Sequence, residues 1–198
     1  MRLKELYRLI LPQTHLNRSL RILISVNTGM VFVVGIFAPF YAVFVQNIGG
    51  SIAWIGFSWA LLSIVSGVLI LLFTNLEMKV REQELLLALG YFLRGIVFLS
   101  YAFMTNLTEL IFAQILWGIA AAIGVPAFDA VYQAHTTNED AIVQWGGWEG
   151  IASIATGVAA LIGGFVIEGF GYQAVFLIMS AICFGLGFYV WRLPREVL

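Results

Sequence analysis

The chain contains long apolar stretches in which about 20 residues pass with few or no charged side chains. A helix of that length matches the roughly 30 Å hydrocarbon core of a bilayer, because an α-helix rises about 1.5 Å per residue. Of the 198 residues, 61% are hydrophobic and 11% are charged. A soluble domain of this composition would lack the polar residues needed to cover its surface. The sequence therefore predicts an all-α membrane protein.

We predict six membrane-spanning helices in a domain that covers residues 22–191. The predicted spans are 22–45, 51–74, 85–104, 107–134, 142–167 and 172–191. The fourth span contains Pro126, so we expect it to be tilted or broken there. Residues 1–21 form a cytoplasmic amphipathic N-terminal segment that is predicted to lie on the membrane surface, and residues 192–198 form a cytoplasmic tail.

The positive charges predict the orientation of the spans. Basic residues lie before the first span, between the second and third spans (Lys79 and Arg81), and after the sixth (Arg192 and Arg195). These positions hold nine of the ten Lys and Arg residues and all fall on one side of the membrane. Because Lys and Arg concentrate in cytoplasmic loops, we expect a multi-pass protein of the cell membrane with both termini cytoplasmic.

No pattern in the sequence is typical of an enzyme. The two histidines lie far apart and Cys183 is the single cysteine, so no metal-ligand cluster is expected. We find neither a nucleophile paired with a base nor a glycine-rich phosphate loop. We therefore predict a protein that is not an enzyme, with no cofactor and no nucleic-acid partner.

The second half of the chain repeats small-residue positions of the first half at an offset of 90 residues. The second span carries Gly56, Ala60, Ser63 and Gly67 (the span-two stripe), and the fifth carries Gly146, Gly150, Ser153 and Gly157 (the span-five stripe). A unit of three spans begins and ends on opposite sides of the membrane. Its second copy must therefore be inverted, as in many secondary transporters. We predict an inverted 3+3 repeat of residues 22–104 and 107–191; chance recurrence of small residues is the alternative.

Each stripe lies on one helix face, since its members are three or four residues apart. Lipid tails are as apolar as leucine, so membrane helices associate where small residues let two backbones approach closely. We therefore predict that both stripes are helix-packing surfaces.

The fourth, fifth and sixth spans resemble motifs of the major facilitator superfamily. Residues 113–127 read AQILWGIAAAIGVPA, which is similar to the family's fourth-helix motif R-x-x-Q-G followed by small residues and Pro-Ala. Residues 157–164 resemble its antiporter motif G-x-x-G-P-x-x-G-G, and residues 171–176 resemble its G-[WY]-x-x-x-F start of the sixth helix. The resemblance extends over residues 20–192 and implies one six-helix half of the twelve-helix family fold.

The resemblance implies a half-size secondary transporter that moves a small solute by alternating access. Two copies of a six-helix unit share one orientation, so a parallel homodimer would rebuild the twelve-helix body. The span-two stripe would then form the dimer interface with the partner's span-five stripe. The alternatives are half of a heteromeric transporter, or a non-transporting membrane scaffold or sensor of the same fold.

Candidate substrate residues follow from helices that line the cavity in the resembling family. These predicted cavity residues are Asn27, Tyr41, Gln114, Asp129, Tyr132 and Glu149. A carboxylate such as Glu149 inside a span can carry a proton, so protons are a candidate coupling ion. The alternatives are a solvated interfacial carboxylate for Asp129 and a salt bridge for Glu149.

Arg94 is a charge in the middle of the third span. A charge at this depth costs about 2.5–3.5 kcal/mol on insertion scales, so it requires a partner or a wet cavity. Arg94 is either a gate or anion-binding group, or it forms a structural ion pair with Asp129 or Glu149. Trp54, Trp145 and Trp148 are typical of the aromatic belt at the membrane surface, with ligand stacking as the alternative.

Overall fold

The regular elements of the protein are helices throughout the part that the structure describes. The computed structural model of the chain describes residues 17–77, 80 and 82–194. Its α-helices are α1 (Arg18–Phe37), α2 (Tyr41–Asn47), α3 (Ile52–Glu77), α4 (Gln83–Ala102), α5 (Leu107–Ala134) and α6 (Ala141–Arg192). The predicted all-α class is confirmed. The predicted amphipathic segment before residue 17 and the end of the predicted tail lie outside the described residues.

Five helical stretches within these ranges are long and apolar enough to cross a membrane. They are Arg18–Asn47, Ile52–Phe73, Gln83–Ala102, Leu107–Ala134 and Ala141–Arg192. Helices of this kind satisfy their own backbone hydrogen bonds, as a segment in hydrocarbon must. The protein is therefore a multi-pass membrane protein.

The first stretch begins at a capped helix end that is tied to α5. The Asn17 side chain accepts a hydrogen bond from the Leu20 amide at 2.8 Å, which satisfies one of the free donors of the first turn. Its amide group donates to the His135 carbonyl at 3.1 Å, just past the last residue of α5. This contact holds the start of α1 beside the end of α5.

We expected the fourth span to be tilted or broken at Pro126. The helix break is found in the first span instead. α5 continues through Pro126, whereas a 3-10 turn at Ala38–Phe40 separates α1 from α2. Pro39 lies in this turn and has no N–H to continue the helical ladder. Membrane helices tolerate an internal proline where neighbouring groups satisfy the freed carbonyl, so a proline alone does not predict a break.

α6 contains one residue outside helical geometry. At about 1.5 Å per residue, its 52 residues would extend about 78 Å, more than twice the thickness of the hydrocarbon core. Gly171 has φ 77° and ψ 173°, a left-handed conformation that glycine adopts without a steric penalty. The connection between the predicted fifth and sixth spans, residues 168–171, is reduced to this glycine, because its other residues are helical.

The chain direction reverses at Gly171. Before it, Thr156 lies against Gly35 and Gly164 lies against Phe40, so residues 141–170 (the first arm) run parallel to α1. After it, Leu186 lies against Gly29, so residues 172–192 (the second arm) run back along α1.

α3 is less enclosed than the other long helices. α6 packs on α1 and α4, and α5 packs on α4 and α3. In the most apolar window of each helix, 56% of the α4 residues are buried but only 6% of the α3 residues. α3 therefore lies at the edge of the bundle, with most of its surface free of contact within the described chain.

Glycines allow the closest helix contacts. A Cβ atom added at Gly90 would lie 2.7 Å from the Gly124 Cα, so α4 and α5 meet backbone to backbone there. A Cβ atom added at Gly163 would overlap the Ile36 carbonyl oxygen, so the first arm of α6 meets α1 in the same way. Such contacts stabilise helix pairs in a bilayer through dispersion.

We expect Gly163→Ala to destabilise the protein by about 1–3 kcal/mol, because the new methyl group has no space beside Ile36. The apparent melting temperature in detergent should fall by several degrees. Gly185→Ala is the matched control on the same helix, since nothing lies within 4 Å of a Cβ atom at that position. Equal melting temperatures for the two variants would contradict the close contact.

Candidate functional site

A cavity of about 410 Å³ opens between α1, α4, α5 and the first arm of α6. Its size is within the range of small-molecule binding sites. The lining residues are Asn27, Met30, Val31, Val34, Gly35, Ala38, Arg94, Trp117, Gly124, Val125, Phe128, Asp129, Trp148 and Thr156. Val125, Asp129 and Thr156 are themselves exposed, so the cavity is open along one side of the bundle.

The cavity wall is mainly apolar and aromatic, with few polar groups. Asn27 on α1 accepts a hydrogen bond from the Tyr91 hydroxyl at 2.9 Å through its Oδ1 atom. Thr156 donates its hydroxyl to the Ala152 carbonyl at 2.9 Å. Asp129 lies exposed at the rim, where its charge interacts with that of Glu149.

Arg94 is buried where α4 and α5 approach most closely, and it also lines the cavity. Its side chain is 8% exposed. Its Nη1 atom lies 3.3 Å from the position that a Cβ atom of Gly124 would take. The ion pair that was one alternative for Arg94 is not found, because neither Asp129 nor Glu149, both within the described part of the chain, is paired with it.

The structure places two of the predicted cavity residues, Asn27 and Asp129, on the cavity wall. Glu149 is exposed and, within the described chain, lies outside the cavity that it was predicted to line. The roles predicted for all three in binding a solute or a proton stay predictions.

Tyr41 and Gln114 belong to a buried polar cluster that joins three helices. The Tyr41 and Ser58 hydroxyl groups are 2.6 Å apart, and the Gln114 amide donates to the Tyr41 hydroxyl. All three side chains are almost fully buried. The cluster links α2, α3 and α5, and none of its members lines the cavity.

Tyr132 connects α5 to the first arm of α6 instead of facing the cavity. Its hydroxyl donates to the Gln144 carbonyl at 2.6 Å, and the side chain is fully buried. In this geometry Tyr132 positions the helix that carries Trp148, a cavity residue, and makes no contact with the cavity itself.

Two tryptophans on the cavity wall were not predicted as site residues. Trp148 is 6% exposed and packs on Phe128, so its ring is covered by the protein and does not face lipid. Trp117 packs on Phe98 with ring centroids 5.4 Å apart. The sequence could have indicated Trp117 as a site residue, because it occupies the position at which the fourth-helix motif has its glutamine.

All members of the span-two and span-five stripes are exposed. Nothing within the described chain lies within 4 Å of a Cβ atom added at any of their glycines, which are Gly56, Gly67, Gly146, Gly150 and Gly157. The stripes therefore do not pack against other helices of the same described chain.

We expect Tyr41→Phe to lower stability by about 0.5–2 kcal/mol, because it leaves the buried Gln114 amide without its acceptor. Thermal unfolding in detergent measures the loss. Tyr189→Phe is the control, since the Tyr189 side chain is 48% exposed. If Tyr41→Phe unfolds at the wild-type temperature, the cluster does not hold these helices together.

Comparison with known proteins agrees with this architecture. The sequence profile of the Major Facilitator Superfamily matches residues 13–197. A protein of Bacillus subtilis (strain 168) named "Uncharacterized MFS-type transporter YitZ" is 23% identical over 155 residues, which cover 78% of this chain and 94% of that protein. No solved structure gives a significant match. These matches place the protein among membrane transporters and not among enzymes, and the chain belongs to the Major Facilitator Superfamily.

Proposed function

We propose that the protein is a half-size secondary transporter that works as a parallel homodimer and moves a small solute by alternating access. The observation that carries this proposal is a solute-sized cavity with one open side, bounded by helices of a single bundle. A lone bundle has no second unit to move against, whereas a partner facing the open side would enclose a pathway.

The reversal at Gly171 supports six spans in this proposal. The first and second arms of α6 then cross the membrane in opposite directions, and α1 and α2 together form one span. Six spans divide into the inverted units 22–104 and 107–191. With an even number of spans, the basic residues at both ends face the same side, which we propose is the cytoplasmic side of the cell membrane.

The exposed stripes support a second copy as the partner. α3 is hardly buried, and the glycines of the span-two and span-five stripes face open space in the described chain. Small residues contribute little to packing against lipid but allow a close contact with another helix. In a parallel two-fold dimer, the span-two stripe of each copy would pack on the span-five stripe of its partner.

The relative from Bacillus subtilis supports a transporter of this size. Because a 155-residue match covers 94% of that protein, the relative is itself a short chain. It is named an MFS-type transporter. A second short sequence of this kind therefore exists, and the protein that it encodes is named a transporter.

Within the dimer, the proposed solute contacts are Asn27 and Asp129 on the cavity wall. Asp129 and Glu149 are close enough to interact electrostatically, so they are the proposed carboxylates for proton coupling. The proposed role of three other residues is to hold together the helices that form the cavity wall, without contact with the solute. These residues are Tyr41, Gln114 and Tyr132.

The interface can be tested by cross-linking. Cysteines replacing Ser66 and Gly157 in a Cys183→Ala background should give a covalent dimer in proteoliposomes. The control pair replaces Ser66 and Gly185, because Gly185 is also an exposed glycine of α6 but lies on the second arm. A covalent dimer from the control pair alone, or from neither pair, would contradict the proposed contact.

Transport can be tested with a matched pair of substitutions. We expect Gly157→Trp to yield a monomer and Gly185→Trp to leave the dimer intact, since neither position is crowded within the chain. Native mass spectrometry reports the oligomeric state. Uptake into proteoliposomes from a panel of radiolabelled organic acids, amines, sugars and amino acids should fall by about tenfold or more in Gly157→Trp alone.

The outcomes of this experiment separate the two parts of the proposal. Uptake by a monomeric Gly157→Trp variant at the wild-type rate would overturn the homodimer. A dimeric wild-type protein that takes up no solute of the panel would favour a membrane scaffold or sensor. A wild-type chain that transports only after addition of a second, different chain would indicate a heteromeric transporter.

A further inference from the structure

We propose that Arg94 forms an oxyanion-binding site in the cavity, and that the transported solute therefore carries a carboxylate or phosphate group. This inference rests on the proposed transport function. Three observations support it: an unpaired buried cation, its contact with the cavity beside Gly124, and a second hydrogen-bond donor that also lines the cavity.

The Arg94 charge has no partner among the described residues. The side chain is more than nine-tenths buried, and its guanidinium forms no ion pair with a carboxylate among the described side chains, those of residues 17–73, 80 and 82–194. A guanidinium stays protonated in proteins and is costly to bury in a membrane domain without a counter-charge. An oxyanion from solution would supply both the charge and the hydrogen-bond acceptors.

Arg94 contacts the cavity beside Gly124. Both residues line it, and the Arg94 Nη1 atom lies 3.3 Å from the position of an added Gly124 Cβ. A larger residue at Gly124 would crowd the guanidinium. The planar guanidinium offers parallel N–H groups, a geometry that matches two oxygens of a carboxylate or phosphate.

Asn27, on α1, supplies a second donor in the lining of the cavity. Its Oδ1 atom already accepts the Tyr91 hydroxyl at 2.9 Å, which leaves the amide N–H groups of Asn27 to face a ligand. Asp129, the carboxylate of the cavity, is exposed at the rim. It follows Gly124 by five positions, or about 7.5 Å along the helix axis, and it forms no ion pair with Arg94.

A binding experiment on the purified protein tests the proposal. We would titrate inorganic phosphate, acetate and succinate, with choline and putrescine as cationic probes, and follow the melting temperature at constant ionic strength. At least one oxyanion should stabilise the wild-type protein by several degrees. Phosphate and the two carboxylates are separate arms, so the result also assigns the type of oxyanion.

The stabilisation should be lost in Arg94→Gln and weakened in Arg94→Lys, which keeps the charge but not the paired N–H geometry. Arg192→Gln is the control for loss of a positive charge, because the Arg192 guanidinium lies on the Phe188 ring at 4.6 Å, outside the cavity. No stabilisation of the wild-type protein by any oxyanion, or equal stabilisation of Arg94→Gln, would overturn the proposal.

A measurement on the wild-type protein covers the case in which Arg94→Gln fails to fold. Phenylglyoxal modifies accessible guanidinium groups, and peptide mass spectrometry reports the modification of each arginine. The stabilising oxyanion should slow modification of Arg94 by about tenfold and leave Arg192 unchanged. Modification of Arg94 at the same rate with and without that oxyanion would refute the site.

These results are distinguishable from a failure of the transport proposal. Oxyanion binding that depends on Arg94, without uptake of that oxyanion, would leave the site intact and overturn transport. Uptake of a neutral or cationic solute at the wild-type rate by Arg94→Gln would support transport and overturn the oxyanion site.

Discussion

The close approach of helix backbones at glycine positions is the contact on which the rest of the structure depends. Lipid tails solvate apolar side chains as well as another helix does, so helices in a bilayer gain from dispersion at short range. α4 meets α5 at Gly90 and Gly124, and the first arm of α6 meets α1 at Gly163. The cavity lies between these pairs, and Arg94 lines it beside the bare backbone of Gly124.

A second group of glycines is left uncovered by the same packing. The stripes on α3 and on the first arm of α6 face open space, although their spacing is typical of helix contacts. The cavity opens on one side of the bundle, where Asp129 and Thr156 are exposed. An open cavity and two uncovered contact stripes are what one half of a larger transport body would present, and this is why we propose a second copy.

The sequence predicted the location of the helices better than their interruptions. The length of an apolar stretch is a property of that stretch alone, so the helices lie close to their predicted bounds. The effect of a proline depends on its neighbours, so Pro39 interrupts a helix and Pro126 does not. In the candidate site, helix faces were predicted without the neighbours that cover them. Asn27 and Asp129 therefore reach the cavity as expected, whereas Tyr132 is covered by the first arm of α6.

By itself, the sequence determined the all-α membrane class and the resemblance to the major facilitator superfamily. A segment in hydrocarbon must satisfy its own backbone hydrogen bonds by forming a helix. The long apolar stretches that form such helices can be recognised in the sequence. Only the tertiary structure decided which polar groups meet: Tyr41 pairs with Ser58 and Gln114, while Arg94 finds no carboxylate within the described chain. Such contacts depend on how each helix is rotated and how closely glycines let helices approach, and neither is encoded within a single segment.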